Sequence, residues 1–194
     1  MALMDPIQIR PLAASDSLDE LTSMLHRAFS PLGRLGLNCT GVSQSIETTA
    51  QRVRLGECLV AVCGGRLIGT LTLHRPERRS ECRRYREADV ASLHQFAVDP
   101  RYQGTGCGKA LLLAATCWAR ERGFGELALD TPADAEHLID FYRSQGFRVV
   151  DDVQLAGRSY RSGVLSKTIG VASSARPPVP AARYAPLFGA MVQA

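Results

Sequence analysis

The sequence predicts one domain of the α/β class, and three observations support this. The chain has 194 residues, of which 45% are apolar, which suits a single sizeable core. Alternating strand patterns are interleaved with amphipathic helix patterns in the order βααββ, then βαβαββ. A glycine-rich loop also lies between a strand and a helix, an arrangement typical of α/β proteins that bind phosphate groups.

The first half of the chain is predicted to contain a strand, two helices and a hairpin. The strand is Ile7–Arg10, and a capping-box pattern, Ser17 with Glu20, begins the first helix. The buried stripe of that helix is predicted to be Leu18, Leu21, Leu25 and Phe29. The second helix is predicted for residues 43–55, with Ile46, Ala50 and Val53 facing inward. Gly64-Gly65 then forms the turn of a hairpin between "ECLVAVC" and "RLIGTLTLH".

The second half is predicted to alternate strands and helices. A strand over Ala91–Val98 leads into the glycine loop and a helix over 108–122. The next strand is Glu126–Asp130, and a helix beginning at Thr131-Pro132 or Asp134 ends near Gln145, because Gly146 suits the position after a helix. Two final strands are predicted at "FRVV" and at residues 160–166.

Two further segments are predicted to be irregular. Residues 75–87 contain six arginines, three glutamates and almost no apolar side chain. Such a run indicates a solvated loop, with a surface for an acidic substrate as the alternative. Residues 170–194 are rich in proline and alanine and predict a mobile C-terminal tail after a domain over 1–169.

Charge and composition limit the classes of function. The net charge of +4 is too small to indicate nucleic-acid binding. The six cysteines and four histidines form no ligand pattern along the chain, so no metal site is expected. The sequence shows neither a signal-peptide pattern nor an apolar stretch long enough to cross a membrane. We therefore expect a cytoplasmic protein with reduced cysteines and no membrane partner.

The loop in "VDPRYQGTGCGKALL" is predicted to bind a phosphate group. A Walker loop is excluded because the first glycine position holds Gln103 and Ala110 replaces the hydroxyl residue. The dinucleotide fingerprint also fails, since its third glycine falls on Lys109 or Leu111. Alternate glycines before a helix N-terminus still predict an anion site made of backbone N–H groups.

This region resembles the GCN5-related N-acetyltransferase superfamily. Gln103-x-x-Gly106-x-Gly108 matches its Q/R-x-x-G-x-G/A signature, and "FAVDPRYQGTGCGKALL" is similar to its motif A. "LIDFYRSQGFRVV" resembles motif B, although Ala135 replaces an asparagine common in the family. The likeness covers about residues 7–167. It implies a mixed, mostly antiparallel sheet that splays open between its fourth and fifth strands.

The resemblance also implies a cofactor and its binding residues. Acetyl-coenzyme A would be the co-substrate, its pyrophosphate held by the loop amides and its pantetheine arm by the backbone of the preceding strand. The residues expected to bind it are Phe96, Ala97, Val98, Gln103, Gly104, Thr105, Gly106, Cys107, Gly108 and Lys109. Cys107 is expected to fill the core rather than act as a nucleophile, so acetyl transfer should be direct.

Acyl transfer to an amine needs a base, an oxyanion donor and an acid for the thiolate. By resemblance, Tyr142 is the expected acid and His94 the expected base, with a water relay as the alternative. The backbone N–H groups near Val98 would stabilise the oxyanion. Asp130 is a weaker candidate base and is expected to cap a helix. Strand alternation places Ser92, His94, Phe96 and Val98 on one face unless a bulge intervenes.

The predicted function is therefore N-acetyl transfer to a primary amine of a small molecule, peptide or protein. The acceptor would be bound by the first two helices, their connection at 31–38 and the arginine-rich loop. Two alternatives stay open: a transferase with another acyl group or acceptor, and a non-catalytic acyl-coenzyme A binder. A homodimer is also expected, because dimers are common in the family.

Overall fold

The computed structural model describes residues 5–170, which form a seven-stranded sheet flanked by helices. The strands are β1 (Gln8–Pro11), β2 (Glu57–Cys63), β3 (Arg66–His74), β4 (Val90–Val98), β5 (Glu126–Pro132), β6 (Arg148–Val153) and β7 (Ser162–Thr168). The helices are α1 (Leu18–Arg34), α2 (Ile46–Arg54), α3 (Cys107–Glu121) and α4 (Glu136–Ser144). The predicted order of elements is confirmed. The predicted tail lies outside the described residues, apart from Gly170.

The sheet has the strand order β1-β2-β3-β4-β5-β7-β6 and opens in its middle. All neighbouring strands are antiparallel except β4 and β5. These two parallel strands pair only over Val90–Ser92 and Glu126–Ala128. Beyond Ser92 they diverge, which confirms the predicted splay. The edge of β4 that faces β5 therefore carries backbone groups without a strand partner.

The two faces of the sheet are packed differently. One face packs on α3 and α4 in the largest apolar cluster, which includes Leu111, Trp118 and Tyr142. The opposite face packs on α1 through Leu21, Met24 and Leu25. Apolar residues on both sides bury most of strands β3, β4, β5 and β7, whereas the edge strand β6 is largely exposed.

A β-bulge in β4 changes which residues share a face. Thr70 pairs with Ala97 and Thr72 with His94, so Leu71 lies opposite both Gln95 and Phe96. Gln95 has a positive φ of 51°, which non-glycine residues seldom adopt. This bulge is the exception that the prediction of one shared face allowed for, and the four residues are divided between the two faces. Ser92 and His94 face the α1 side, whereas Phe96 and Val98 pack on the α3 side.

Several predicted boundaries are wrong. Helix α1 continues through Pro31 to Arg34, so the connection to α2 begins later than predicted. Ile46 of α2 is 40% exposed, and Thr49 is the buried residue of that helix. Strand β5 extends to Pro132 because it pairs with β7, which delays the start of α4 to Glu136. The observed bounds of β6 and β7, which pair with each other, lie about two residues closer to the C-terminus than the predicted bounds.

The arginine-rich segment is not simply a solvated loop. It contains a 3-10 turn over Arg83–Arg86, and Tyr85 within that turn is 3% exposed. Glu77 turns back toward β4, and Arg84 pairs with Glu126 of β5. Glu77 and Arg84 can both be partly buried because each has an oppositely charged or polar partner. None of the helices within residues 5–170 has the length and apolar character of a membrane span.

Candidate active site

The splay between β4 and β5 opens a cleft of about 820 Å³. At one end it is lined by the glycine loop and at the other by α1, the turn at Tyr85 and the loop before β7. The predicted site residues that line it are His94, Phe96, Ala97, Val98, Gln103, Gly104, Gly106, Gly108, Lys109 and Tyr142. A smaller hollow of about 520 Å³, between Gly33 and Thr48, contains none of them. The cleft is therefore the candidate active site.

The glycine loop presents free backbone donors. Gly104 and Gly106 have φ values of +78° and +86°, the left-handed region that glycine tolerates best. The N–H groups of residues 104–109 make no hydrogen bond within residues 5–170, and 103–106 are exposed. Six consecutive free donors next to the N-terminus of α3 suit a diphosphate.

A buried aspartate fixes the start of this loop. Asp99 is 1% exposed and accepts hydrogen bonds from the side chains of Arg27 at 2.9 Å and Arg101 at 3.0 Å. Hydrogen bonds from Arg101 lower the pKa of Asp99 well below its usual range, although burial acts in the opposite direction. Because Arg27 belongs to α1, this contact ties the loop to the opposite face of the sheet.

Two loop residues that were expected to bind the cofactor do not line the cleft. Thr105 is exposed, and its hydroxyl donates to the carbonyl of Tyr102 at 2.6 Å. The Cys107 thiol is 1% exposed in the core, and burial raises its pKa to about 12. A thiol with a raised pKa is a poor nucleophile. Both residues can contribute only their backbone N–H groups.

Tyr142 lies in the last turn of α4 on the α3 side of the sheet. Its ring packs against Phe96 and Phe147, with centroid distances of 6.0 and 5.9 Å. The residue is 6% exposed, and its hydroxyl has no hydrogen-bond partner among the described residues. Burial, followed by the charge of Asp130, raises its pKa above the usual value, so the phenol keeps its proton at neutral pH.

His94 lies on the other side of β4, in a network with a carboxylate. Glu77 Oε1 lies 2.9 Å from His94 Nε2 and accepts from the Ser92 hydroxyl at 2.6 Å. Burial raises the pKa of Glu77, but hydrogen bonds from His74 and His94 outweigh it and lower that pKa well below its usual range. An ionised carboxylate can only accept, so Nε2 carries a proton here, and in the neutral imidazole Nδ1 is then the basic nitrogen.

The same network brings together a set of possible metal ligands. His74, Glu77 and His94 each offer one ligand atom, and these atoms lie within 4.8 Å of one another. Two imidazoles and a carboxylate form a donor set that zinc accepts. The prediction that there is no metal site relied on separation along the sequence. Strand pairing places His74 opposite Ser92 and therefore close to His94, so separation along the sequence does not exclude a metal site. The absence of a metal site stays a prediction.

Asp130 does not cap a helix. It lies in β5, where its Oδ1 accepts a hydrogen bond from the buried Tyr85 hydroxyl at 2.8 Å. The N-cap of α4 is Ala135, which provides no side-chain cap. Asp130 instead lines the cleft, and its charge acts on Tyr142.

Sequence reasoning missed Glu77, Arg52 and Arg158, all close to the cleft. Glu77 and Arg158 lie in irregular segments, and Arg52 lies on a helix whose inward face was assigned to apolar residues. The bulge did have a signal. The apolar alternation runs through Ala91 and Leu93 and then shifts parity to Phe96 and Val98. A change of parity inside a strand indicates one inserted residue.

Comparison with known proteins identifies the family. The sequence profile of the acetyltransferase (GNAT) family matches residues 26–147. The chain is 26% identical over 138 residues to S-(2-succino)cysteine N-acetyltransferase of Bacillus subtilis, which covers 70% of this chain and 81% of that protein. It is 41% identical over 68 residues to mycothiol acetyltransferase of Saccharomonospora viridis. That match spans 34% of this chain and only 22% of the relative.

Solved structures share the fold. The ribosomal-protein-S18-alanine N-acetyltransferase of Escherichia coli superposes with a TM-score of 0.66 at 20% identity, covering 89% of this chain and 99% of that one. A GNAT acetyltransferase of Elizabethkingia anophelis with acetyl-CoA bound gives 0.60 at 19% identity, covering 84% and 99%. Profile, fold and loop geometry agree: this chain belongs to the acetyltransferase (GNAT) family.

Proposed function

We propose that this protein transfers the acetyl group of acetyl-coenzyme A directly to a primary amine. The observation that carries the proposal is the continuity of one cleft, in which six free backbone N–H groups lie at one end and His94 and Tyr142 line the middle. The acetyl-CoA complex of the Elizabethkingia relative supports the choice of cofactor. The cysteine conjugate in the name of the Bacillus relative supports a small-molecule amine.

In this proposal the chain's own groups carry out four tasks: cofactor binding, proton removal from the amine, oxyanion stabilisation and protonation of the thiolate. The amides of residues 104–109 bind the diphosphate, and the open edge of β4 at Phe96–Val98 holds the pantetheine arm. Acetyl-coenzyme A supplies the thioester. His94, oriented by Glu77, removes the proton that an amine of pKa about 10 carries at neutral pH. Backbone N–H groups near Val98 stabilise the oxyanion, and Tyr142 donates a proton to the departing thiolate.

The positions of His94 and Tyr142 support this division of tasks. They lie on opposite sides of β4, so base and acid approach the splay from different faces of the sheet. A group that passes between the strands can thus meet a base on the acceptor side and an acid on the thiol side. The bulge at Gln95 produces this separation.

An acceptor screen tests the function. The purified protein is incubated with acetyl-coenzyme A and polyamines, amino acids, S-substituted cysteines or lysine peptides, while thiol release and N-acetyl products are measured. We expect turnover with at least one class and none in a His94→Ala, Tyr142→Phe double variant. Protection against thermal unfolding by coenzyme A without any turnover would identify a non-catalytic binder instead.

A further inference from the structure

Two arginines at the acceptor end of the cleft have no acidic partner. Arg52 of α2 donates from Nη1 to the Gln44 side-chain oxygen at 2.8 Å. Arg158, in the loop between β6 and β7, donates to the Asn38 carbonyl and the Thr40 hydroxyl, both at 2.9 Å. Within residues 5–170, neither guanidinium has a carboxylate within 4.0 Å. Both line the cleft.

Holding these two partly buried positive charges in one cleft raises the free energy of the folded protein unless an anion is bound. Both arginines are half-buried, and burial followed by the charge of Arg158 lowers the pKa of Arg52 to about 10. Two like charges held at one place in a partly dry cleft destabilise the protein unless a negative charge compensates them. The planar donors of arginine suit a carboxylate, which can accept two hydrogen bonds at once.

A buried network holds Arg52 in place. Gln44, its acceptor, is 5% exposed and donates to the Thr49 hydroxyl at 2.7 Å and to Gln95 Oε1 at 2.9 Å. Thr49 in turn accepts from Thr22 at 2.8 Å. This network connects α1, α2 and the bulge of β4. A guanidinium fixed in this way loses little conformational freedom when it binds a ligand.

The two acids of the described chain that line the same cleft each accept a hydrogen bond from a group other than the arginines. Glu81 accepts a hydrogen bond from the backbone N–H of Ala156 at 2.9 Å. Asp130 accepts from Tyr85 through Oδ1, whereas its Oδ2 has no partner among the described residues. Asp130, Tyr142 and both arginines line the same cleft, and the charge of Asp130 acts on Tyr142 and on Arg52.

We propose that the acceptor carries a carboxylate next to its amino group, as a free amino acid does. Arg52 and Arg158 bind this carboxylate, and Asp130 faces the amino group. The lining of the cleft thus carries the Asp130 carboxylate and two guanidinium groups, which matches the two opposite charges of an amino-acid zwitterion. This inference rests on the proposed acetyltransferase function, whose acceptor class it narrows.

The test compares each acceptor as a free acid and as its primary amide. S-methyl-L-cysteine and the standard L-amino acids provide the pairs. Thermal unfolding with saturating coenzyme A measures binding, and product formation from acetyl-coenzyme A measures turnover. We expect at least one acid, and not its amide, to raise the unfolding temperature. For that pair, kcat/KM should favour the acid by roughly 10- to 100-fold.

Variants assign the effect to the arginines. Arg52→Gln and Arg158→Gln should each raise KM for the acid by roughly 10-fold or more, with little effect on the amide or on KM for acetyl-coenzyme A. Arg54→Gln, an exposed neighbour on α2, is the matched control. Equal binding of acid and amide in every pair, or variants that keep the acid preference, overturns the proposal. Acid-specific binding without turnover supports the arginine site while contradicting the proposed catalysis.

Discussion

Tyr142 can donate a proton only while its phenol is neutral, and its burial in the aromatic cluster ensures this. Tyr142→Phe removes the hydroxyl and leaves the ring packing intact. We expect kcat to fall by roughly 100-fold, because general acid catalysis is lost, while the affinity for acetyl-coenzyme A stays within twofold. Steady-state kinetics and calorimetry measure the two quantities. An unchanged kcat would remove Tyr142 from the mechanism.

Glu77 is proposed to act through His94 rather than on the substrate. Glu77→Gln removes the charge that orients the imidazole, so kcat should fall by roughly 10-fold or more. In a protein that already carries His94→Ala, Glu77→Gln should not lower kcat further, because the effects of two residues that act as a unit are not additive. Glu87→Gln, exposed in the same segment, is the control. Full additivity in the double variant would show that the two residues act independently.

At the level of elements, the glycine loop combines left-handed backbone with free donors. Gly106→Val should weaken coenzyme A binding by at least 10-fold, because the side chain strains the turn at φ +86° and blocks the approach of the backbone. Gly123→Val is the matched control, with φ +79° and open space around it, but at the other end of α3. Both variants should lose similar stability. Similar coenzyme A affinities in the two would contradict the role of the loop.

Strand β4 illustrates how one residue changes an element. The bulge at Gln95 places His94 on the α1 side and Phe96 on the α3 side. Side-chain alternation predicts the strand but not this switch, because the side chain of the inserted residue accepts a hydrogen bond from Gln44, in the loop before α2. The same applies to α2, where the polar Thr49 is buried and Ile46 is exposed. Apolar periodicity cannot identify a helix whose buried face is polar.

For the whole molecule, Asp99 connects α1 to the start of the glycine loop. Asp99→Asn should lower the free energy of unfolding by about 1–2 kcal/mol at neutral pH, since both arginine partners are partly exposed. The folded-state pKa of Asp99 is lowered, so its contribution is complete above the unfolded pKa of about 4 and is lost as the pH falls further.

Urea unfolding of wild type and Asp99→Asn at several pH values measures this contribution. The difference between the two proteins should be largest at neutral pH and should shrink below about pH 4. Asp140→Asn, which breaks an exposed pair with Arg143, should have little effect at any pH. A difference that does not change with pH would mean that the Asp99 charge does not stabilise the fold. The homodimer stays a prediction, to be tested by analytical ultracentrifugation.

Local patterns were sufficient to predict the order of elements, the hairpin, the glycine loop and the family, because these depend on local backbone preferences and on short motifs. Gly64-Gly65 and Gly106 need no distant partner to indicate a turn with positive φ. Which charged groups meet depends instead on how the folded chain packs. Glu77 reaches His94, and Arg158 lies near Arg52, through strand pairing and loop packing between residues far apart in the chain. Electrostatic interactions act through space, so no local pattern encodes them.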